Sequence, residues 1–141
     1  MKESPNELEQ PVMDALLAGD DPRLATLREQ LSSAAVTGRE LTGPGFLTRF
    51  SVPAAAARVG RPIKNPIDDV CAELAGEENA AGFLLWLEDG ALQALEGFSY
   101  GGVWPEEAQL RRMFYVTTEP GGRRIEAGER DLEEALGPDP A

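Results

Sequence analysis

The sequence predicts an α+β domain, with two N-terminal helices packed on a curved antiparallel sheet of about four to six strands. Three observations carry this expectation. Apolar residues recur at three- and four-residue spacing up to about residue 34; beyond it the period drops to two; and an Asp-Gly dipeptide joins two apolar runs in the manner of a hairpin.

Taken in order, Ser4-Pro5-Asn6-Glu7 has the form of a capping box with proline at the first helical position, and predicts a helix start. Pro11 removes a backbone donor and crowds the Glu7 carbonyl, so this helix is expected to bend or restart, with Val12, Leu16 and Leu17 on its apolar side up to Gly19. Asp21-Pro22 repeats the start signal, and Leu24, Leu27 and Leu31 predict a second amphipathic helix over about residues 22–34.

Val36 to Thr42 and Phe46 to Val52 then flank a Thr-Gly-Pro-Gly turn and read as a hairpin, with Phe46, Thr48, Phe50 and Val52 sharing a face. Three prolines mark residues 53–66 as a connecting loop. Ile67 to Leu74 is expected to be a third strand, its alternation setting Ile67, Asp69, Cys71 and Glu73 opposite Asp68, Val70, Ala72 and Leu74.

The clearest element is Gly82 to Glu88, Asp89-Gly90, and Ala91 to Phe98. Asp-Gly is a preferred type I′ turn, which predicts the pairs Glu88 with Ala91, Leu87 with Leu92, Trp86 with Gln93, Leu85 with Ala94, Leu84 with Leu95 and Phe83 with Glu96. One face of the ribbon would then show Phe83, Leu85, Leu87, Leu92 and Ala94, and the other Leu84, Trp86, Ala91 and Leu95. Helices can cover one face. The other calls for the C-terminal segment, a second copy or a partner.

A short helical turn through Leu110 leads to a last strand, Met113 to Thr118, which closes a domain over residues 1–118. Residues 119–141 are expected to be a partly ordered charged tail, with a short helix around Leu132 to Leu136 stopped by Gly137-Pro138.

Composition limits the chemistry. With 25 acidic and 13 basic residues the formal charge is −12, a field that repels phosphate backbones and anionic membranes, so neither nucleic acid nor membrane is an expected partner. No run approaches the roughly 18 apolar residues of a membrane helix. The first ten residues lack a secretory pattern, and Cys71 is the single cysteine, so the chain reads as cytoplasmic. There is no histidine and lysine occurs only as Lys2 and Lys64, which removes imidazole bases, Ser-His and Cys-His pairs and histidine metal ligands. No cofactor and no metal is expected. Asp68-Asp69 and Glu77-Glu78-Asn79 lack the alternating ligand spacing of a calcium loop, and the Gly-rich segments lack a phosphate-loop ending.

What remains for an enzyme is carboxylate chemistry. Glu96, predicted to lie across from Phe83 on an apolar face, is the weak catalytic candidate, with Glu73, Glu106 or Glu107 as a second carboxyl. An inward glutamate also suits backbone amides or an arginine such as Arg111 or Arg112. Without a histidine in the chain Cys71 lacks the usual base of a cysteine nucleophile, and it reads as a small core residue. The stretch from Leu95 to Glu107 gathers Phe98, Tyr100 and Trp104 among glycines, as a loop platform or as a plug at the end of the core.

The run "GFLLWLEDGALQALEGFSYGGVWPEE", preceded by "LTGPGFLTRFSVP", resembles a loose group of small uncharacterised bacterial proteins. The shared features are a Gly-Phe strand, an Asp-Gly hairpin, a Leu-Glu-Gly-aromatic strand end and a Trp-Pro-acidic loop, over roughly residues 40–107. The resemblance implies that hairpin and exit loop form one structural unit, and it implies no activity. From the two-sided ribbon, the acidic charge and the missing catalytic chemistry, the expected function is non-catalytic binding, as an immunity or adaptor protein meets a basic partner, through Trp86, Leu95, Phe98, Tyr100 and Trp104. The alternatives are the hydrolase on Glu96 and self-association as a homodimer.

Overall fold

A computed structural model describes residues 3–139. Met1 and Lys2, which open the predicted domain, and Pro140 and Ala141, which close the predicted tail, lie outside the described residues. The protein is α+β, as expected, with a larger sheet than the four to six strands predicted, and with the short helix expected around Leu132 to Leu136 in place as a third helix beside the two N-terminal ones. The elements are α1 (Glu9–Leu16), α2 (Pro22–Ser33), β1 (Ala35–Leu41), β2 (Gly45–Ser51), β3 (Ile67–Leu74), β4 (Ala81–Glu88), β5 (Ala91–Ser99), β6 (Leu110–Thr118), β7 (Arg124–Ala127) and α3 (Leu132–Leu136). The seven strands form one open antiparallel sheet in the order β1-β2-β5-β4-β3-β6-β7. The strand not expected, β7, and the expected helix α3 both come from the stretch after residue 118: β7 pairs with β6, and Ala135 and Leu136 of α3 are buried.

The N-terminal cap sits two residues later than expected. Asn6 Oδ1 accepts from the Glu9 amide at 2.8 Å and Glu9 Oε1 accepts from the Asn6 amide at 3.0 Å, a reciprocal box built on Asn6 rather than Ser4. Pro11 therefore falls near the first turn, where its missing donor costs little, and α1 runs through it to Leu16. At α2 the expected signal operates, with Asp21 accepting from the Arg23 amide. Helices α1 and α3 pack on β3 and α2 packs on β5, so Val12, Met13, Leu16, Leu24, Leu27 and Leu136 share one core with the inner face of the sheet.

The hairpin β4–β5 begins as predicted. Asp89 and Gly90 both take positive φ, 51° and 77°, and Glu88 pairs with Ala91 and Leu87 with Leu92. Beyond that the register shifts by one residue: Trp86 lies opposite Ala94, Leu85 opposite Leu95, Leu84 opposite Glu96 and Phe83 opposite Gly97. The physical reason is burial. A regular strand would send Leu92, Ala94 and Glu96 inward together and bury a carboxylate in the core; the bulge at Gln93 sends Leu92 and Leu95 inward and turns Glu96 out. A second bulge, between Ile67 and Val70, corrects the predicted alternation of β3: Ile67, Val70, Ala72 and Leu74 face the core.

Three Gly-Phe dipeptides interlock across the central strands. Phe46 and Phe83 flank Gly97 from either side on the inner face, and Phe98 pairs with both Gly45 and Gly82 on the outer face. A Cβ at Gly97 would collide with the Phe46 ring, and one at Gly82 would press on the Phe98 ring. Gly97→Ala is accordingly expected to lower the urea midpoint by an amount equivalent to about 2 kcal/mol or more. Gly60→Ala is the control, since nothing lies within 4 Å of a Cβ there, and it should leave the midpoint nearly unchanged.

Candidate binding surface

No helix covers the outer face of the sheet. Its centre is an apolar stripe of Leu47 on β2, Ala94 and Phe98 on β5, Leu84 and Trp86 on β4, and Phe114 on β6. Paired charges border it on both sides. Arg49 meets Glu40 at 2.7 Å toward the β1 edge, and toward the β7 edge Arg112 bonds Glu73 and Glu126, each at 2.8 Å, while its guanidinium stacks on Phe114 at 4.6 Å. An apolar centre inside a rim of charged groups is the anatomy of a protein interface.

The structure divides the predicted binding residues among three places. Trp86, Phe98 and Tyr100 share the outer face, Trp86 beside Ala94 and, farther along the strands, Phe98 and Tyr100 edge to face with centroids 5.1 Å apart; Tyr100 is 58% exposed. Leu95 is fully buried in the core, a consequence of the shifted register, so it presents nothing to a partner. Trp104 lies on the helix side, edge on to Phe46 at 5.1 Å.

Glu96 is half-buried on the outer face, where Trp86 Nε1 donates to its Oε1 at 3.0 Å. Of its three candidate partner carboxylates, Glu73 is taken by Arg112, while Glu106 and Glu107 are exposed in the loop after Trp104. Cys71 also points to this face, with Sγ 3.8 Å from the Tyr100 hydroxyl oxygen. Burial raises the Cys71 thiol, and burial with the neighbouring thiol pushes the Tyr100 hydroxyl up to about 12, so both stay protonated near neutrality. The acidic pair of β3 is structural: Asp68 pairs with Lys64, and buried Asp69 is held by Arg130 through two bonds of 2.9 Å.

A cleft of about 270 Å³ opens at the β1–β2 edge on the helix side, walled by Leu8, Leu41, Phe46 and Trp104 over Glu9 and Arg39. Glu9 is buried at 1% exposure, and its four bonds come from the Asn6 amide, Arg39 Nε and Nη2, and Thr48 Oγ1, at 2.6–3.0 Å. Burial works to raise its carboxyl, and the bonds from Arg39, Thr48 and Asn6 outweigh it, holding the group below its ordinary value. This trio was not among the sequence candidates. The signal was nevertheless present, because Glu9 stands at helical spacing from Val12, Met13 and Leu16 on the apolar side of α1, and Thr48 stands between Phe46 and Phe50.

The chain matches no known protein family, no curated protein and no solved structure. Among the described residues no helix is long and apolar enough to cross a membrane.

The Glu9 network gives a pH dependence of definite sign. A carboxyl depressed in the folded state adds stability above the unfolded carboxyl range and loses it as pH falls through the folded value. The thermal midpoint of the wild type should therefore exceed that of Glu9→Gln at neutral pH, and the gap should close progressively below about pH 4.5. A gap that stays constant down to about pH 2 would contradict the assignment.

Proposed function

We propose that the protein is a non-catalytic binding protein of the bacterial cytosol, adaptor- or immunity-like, which holds a partner protein against the outer face of its sheet. The observation that carries this reading is the one-sided packing: all three helices lie on one face, and the other leaves Leu47, Leu84, Trp86 and Phe98 half-buried around Glu96 with no helix over them. Charge favours a partner other than a second copy. Two chains of formal charge −12 repel one another, whereas a basic protein is drawn to the same field. A hydrolase built on Glu96 has weaker support, because Glu73 is committed to Arg112 and the Glu96 carboxylate is bonded to an indole.

Photo-crosslinking in the native host tests the reading, with a benzophenone amino acid at Leu47 on the outer face and, as control, at Glu29 on exposed α2. The expected product from position 47 is one discrete adduct with a basic protein, lost with Trp86→Glu at unchanged thermal midpoint and weakened by added salt. Adducts of the chain with itself would replace the reading by homodimerisation, and equal adducts from both positions would remove it.

A further inference from the structure

The outer stripe contains one charge that the protein does not neutralise. Glu96 has Trp86 Nε1 as its hydrogen-bond partner and no cation within ion-pair distance among the described residues. Beside it is a hollow of about 430 Å³, with Leu47, Ala94, Gln93 and Arg49 around Trp86 and Glu96. Arg49, the cation in that hollow, is engaged with Glu40 at 2.7 Å. Every other charge bordering the stripe that has been described above is paired, as Arg112 is with Glu73 and Glu126.

In the free protein water solvates the Glu96 carboxylate. A partner that covers the stripe removes that water, and an unpaired carboxylate under an apolar surface is heavily disfavoured. We propose that the hollow beside Trp86 and Glu96 is the receptor for a single basic side chain of the partner, and that an arginine fits it best; the proposal rests on the docking reading above. A guanidinium is planar, so it can lie against the Trp86 indole while an N–H donates to Glu96 Oε2, and its methylene stem can cover Leu47 and Ala94. An ammonium supplies the charge without the planar match. An anionic or wholly apolar protrusion is rejected, because it leaves Glu96 buried without a counter-charge.

The protein holds two tryptophans, so its two indole N–H resonances separate this site from the rest of the chain: Trp86 reports the hollow, and Trp104 on the opposite side is the internal control. The probes are N-acetyl-arginine methylamide and its uncharged citrulline counterpart, titrated to about 50 mM because a ligand of this size binds in the millimolar range. The expected result is a saturable shift of the Trp86 resonance with the arginine probe, little movement of Trp104, and no comparable shift with citrulline. Glu96→Gln, which preserves shape and an acceptor for Trp86, should weaken the arginine probe roughly tenfold. Equal shifts with both probes, or no shift of Trp86, would overturn the receptor.

The crosslinked partner separates the two levels of the argument. Loss of the adduct in both Trp86→Glu and Glu96→Gln supports receptor and docking face together. An adduct lost only in Trp86→Glu keeps the face and overturns the receptor, and an adduct retained in both variants overturns the face.

Discussion

The central three strands are held together by phenylalanine rings lying where a neighbouring strand has no side chain. Phe46 and Phe83 meet over Gly97 with ring centroids 6.4 Å apart, while Phe98 spans Gly45 and Gly82 on the reverse side. The Phe46 ring takes the volume that a Cβ at Gly97 would occupy and the Phe98 ring presses on that of a Cβ at Gly82, while a Cβ at Gly45 would collide with the Gly97 backbone, so register in β2, β4 and β5 is set by shape as well as by backbone hydrogen bonds. From that fixed centre the remaining strands extend in both directions, β1 from β2 and β3, β6 and β7 from β4. Because Gly97 faces inward and Gly82 faces outward, the interlock that packs Phe46 against Gly97 in the core also sets Phe98 over Gly82 on the outer face.

Around this centre, buried polar side chains fasten the parts that a small core holds weakly. Gln30, fully buried on α2, donates to the Ala57 and Gly90 carbonyls and accepts from the Leu92 amide, joining helix, loop and hairpin tip. Asn65 exchanges two bonds with Leu87 where β3 stops short of the end of β4. Arg130 bonds Asp69 and caps the end of α1 at the Ala15 and Ala18 carbonyls, while Tyr115 donates to the same Ala15 carbonyl. Among the described residues no buried side-chain nitrogen or oxygen lacks a partner. Buried polar groups arranged in this way contribute little net stability but make departures from this arrangement costly, because breaking one contact strands a group away from water.

How much of this was legible in the sequence depended on whether a local rule was competing with a distant one. The positions of α2, of the first hairpin and of β3 followed from caps, turns and periodicity, and the structure places them within a residue or two. The bulges were not legible from alternation alone, since a two-residue period has no term for the cost of burying Glu96. Leu92 and Leu95 three apart in a strand, like Ile67 and Val70, carried the hint. The Gly-Phe recurrence at residues 45, 82 and 97 has no regular spacing along the chain, because its order exists only across strands. The predicted site suffered accordingly: Trp86, Phe98 and Tyr100 share a surface, whereas Leu95 went to the core through the shifted register and Trp104 to the far side with its own cleft.

The bulge that decides Leu95 also decides Glu96, and this links folding to recognition. Moving one residue out of the ladder at Gln93 puts Leu95 into the core and a carboxylate into the middle of an otherwise apolar surface. A continuous stripe of Leu47, Ala94, Leu84 and Phe98 would attract any apolar surface, including the same stripe on another copy. With Glu96 in its midst, face-to-face pairing of two copies brings like charges together under apolar cover, in addition to the repulsion of two acidic chains. A partner carrying the opposite charge meets neither penalty. On the proposed docking reading, the residue that the fold keeps out of its interior is the one that would decide which surfaces its exterior accepts.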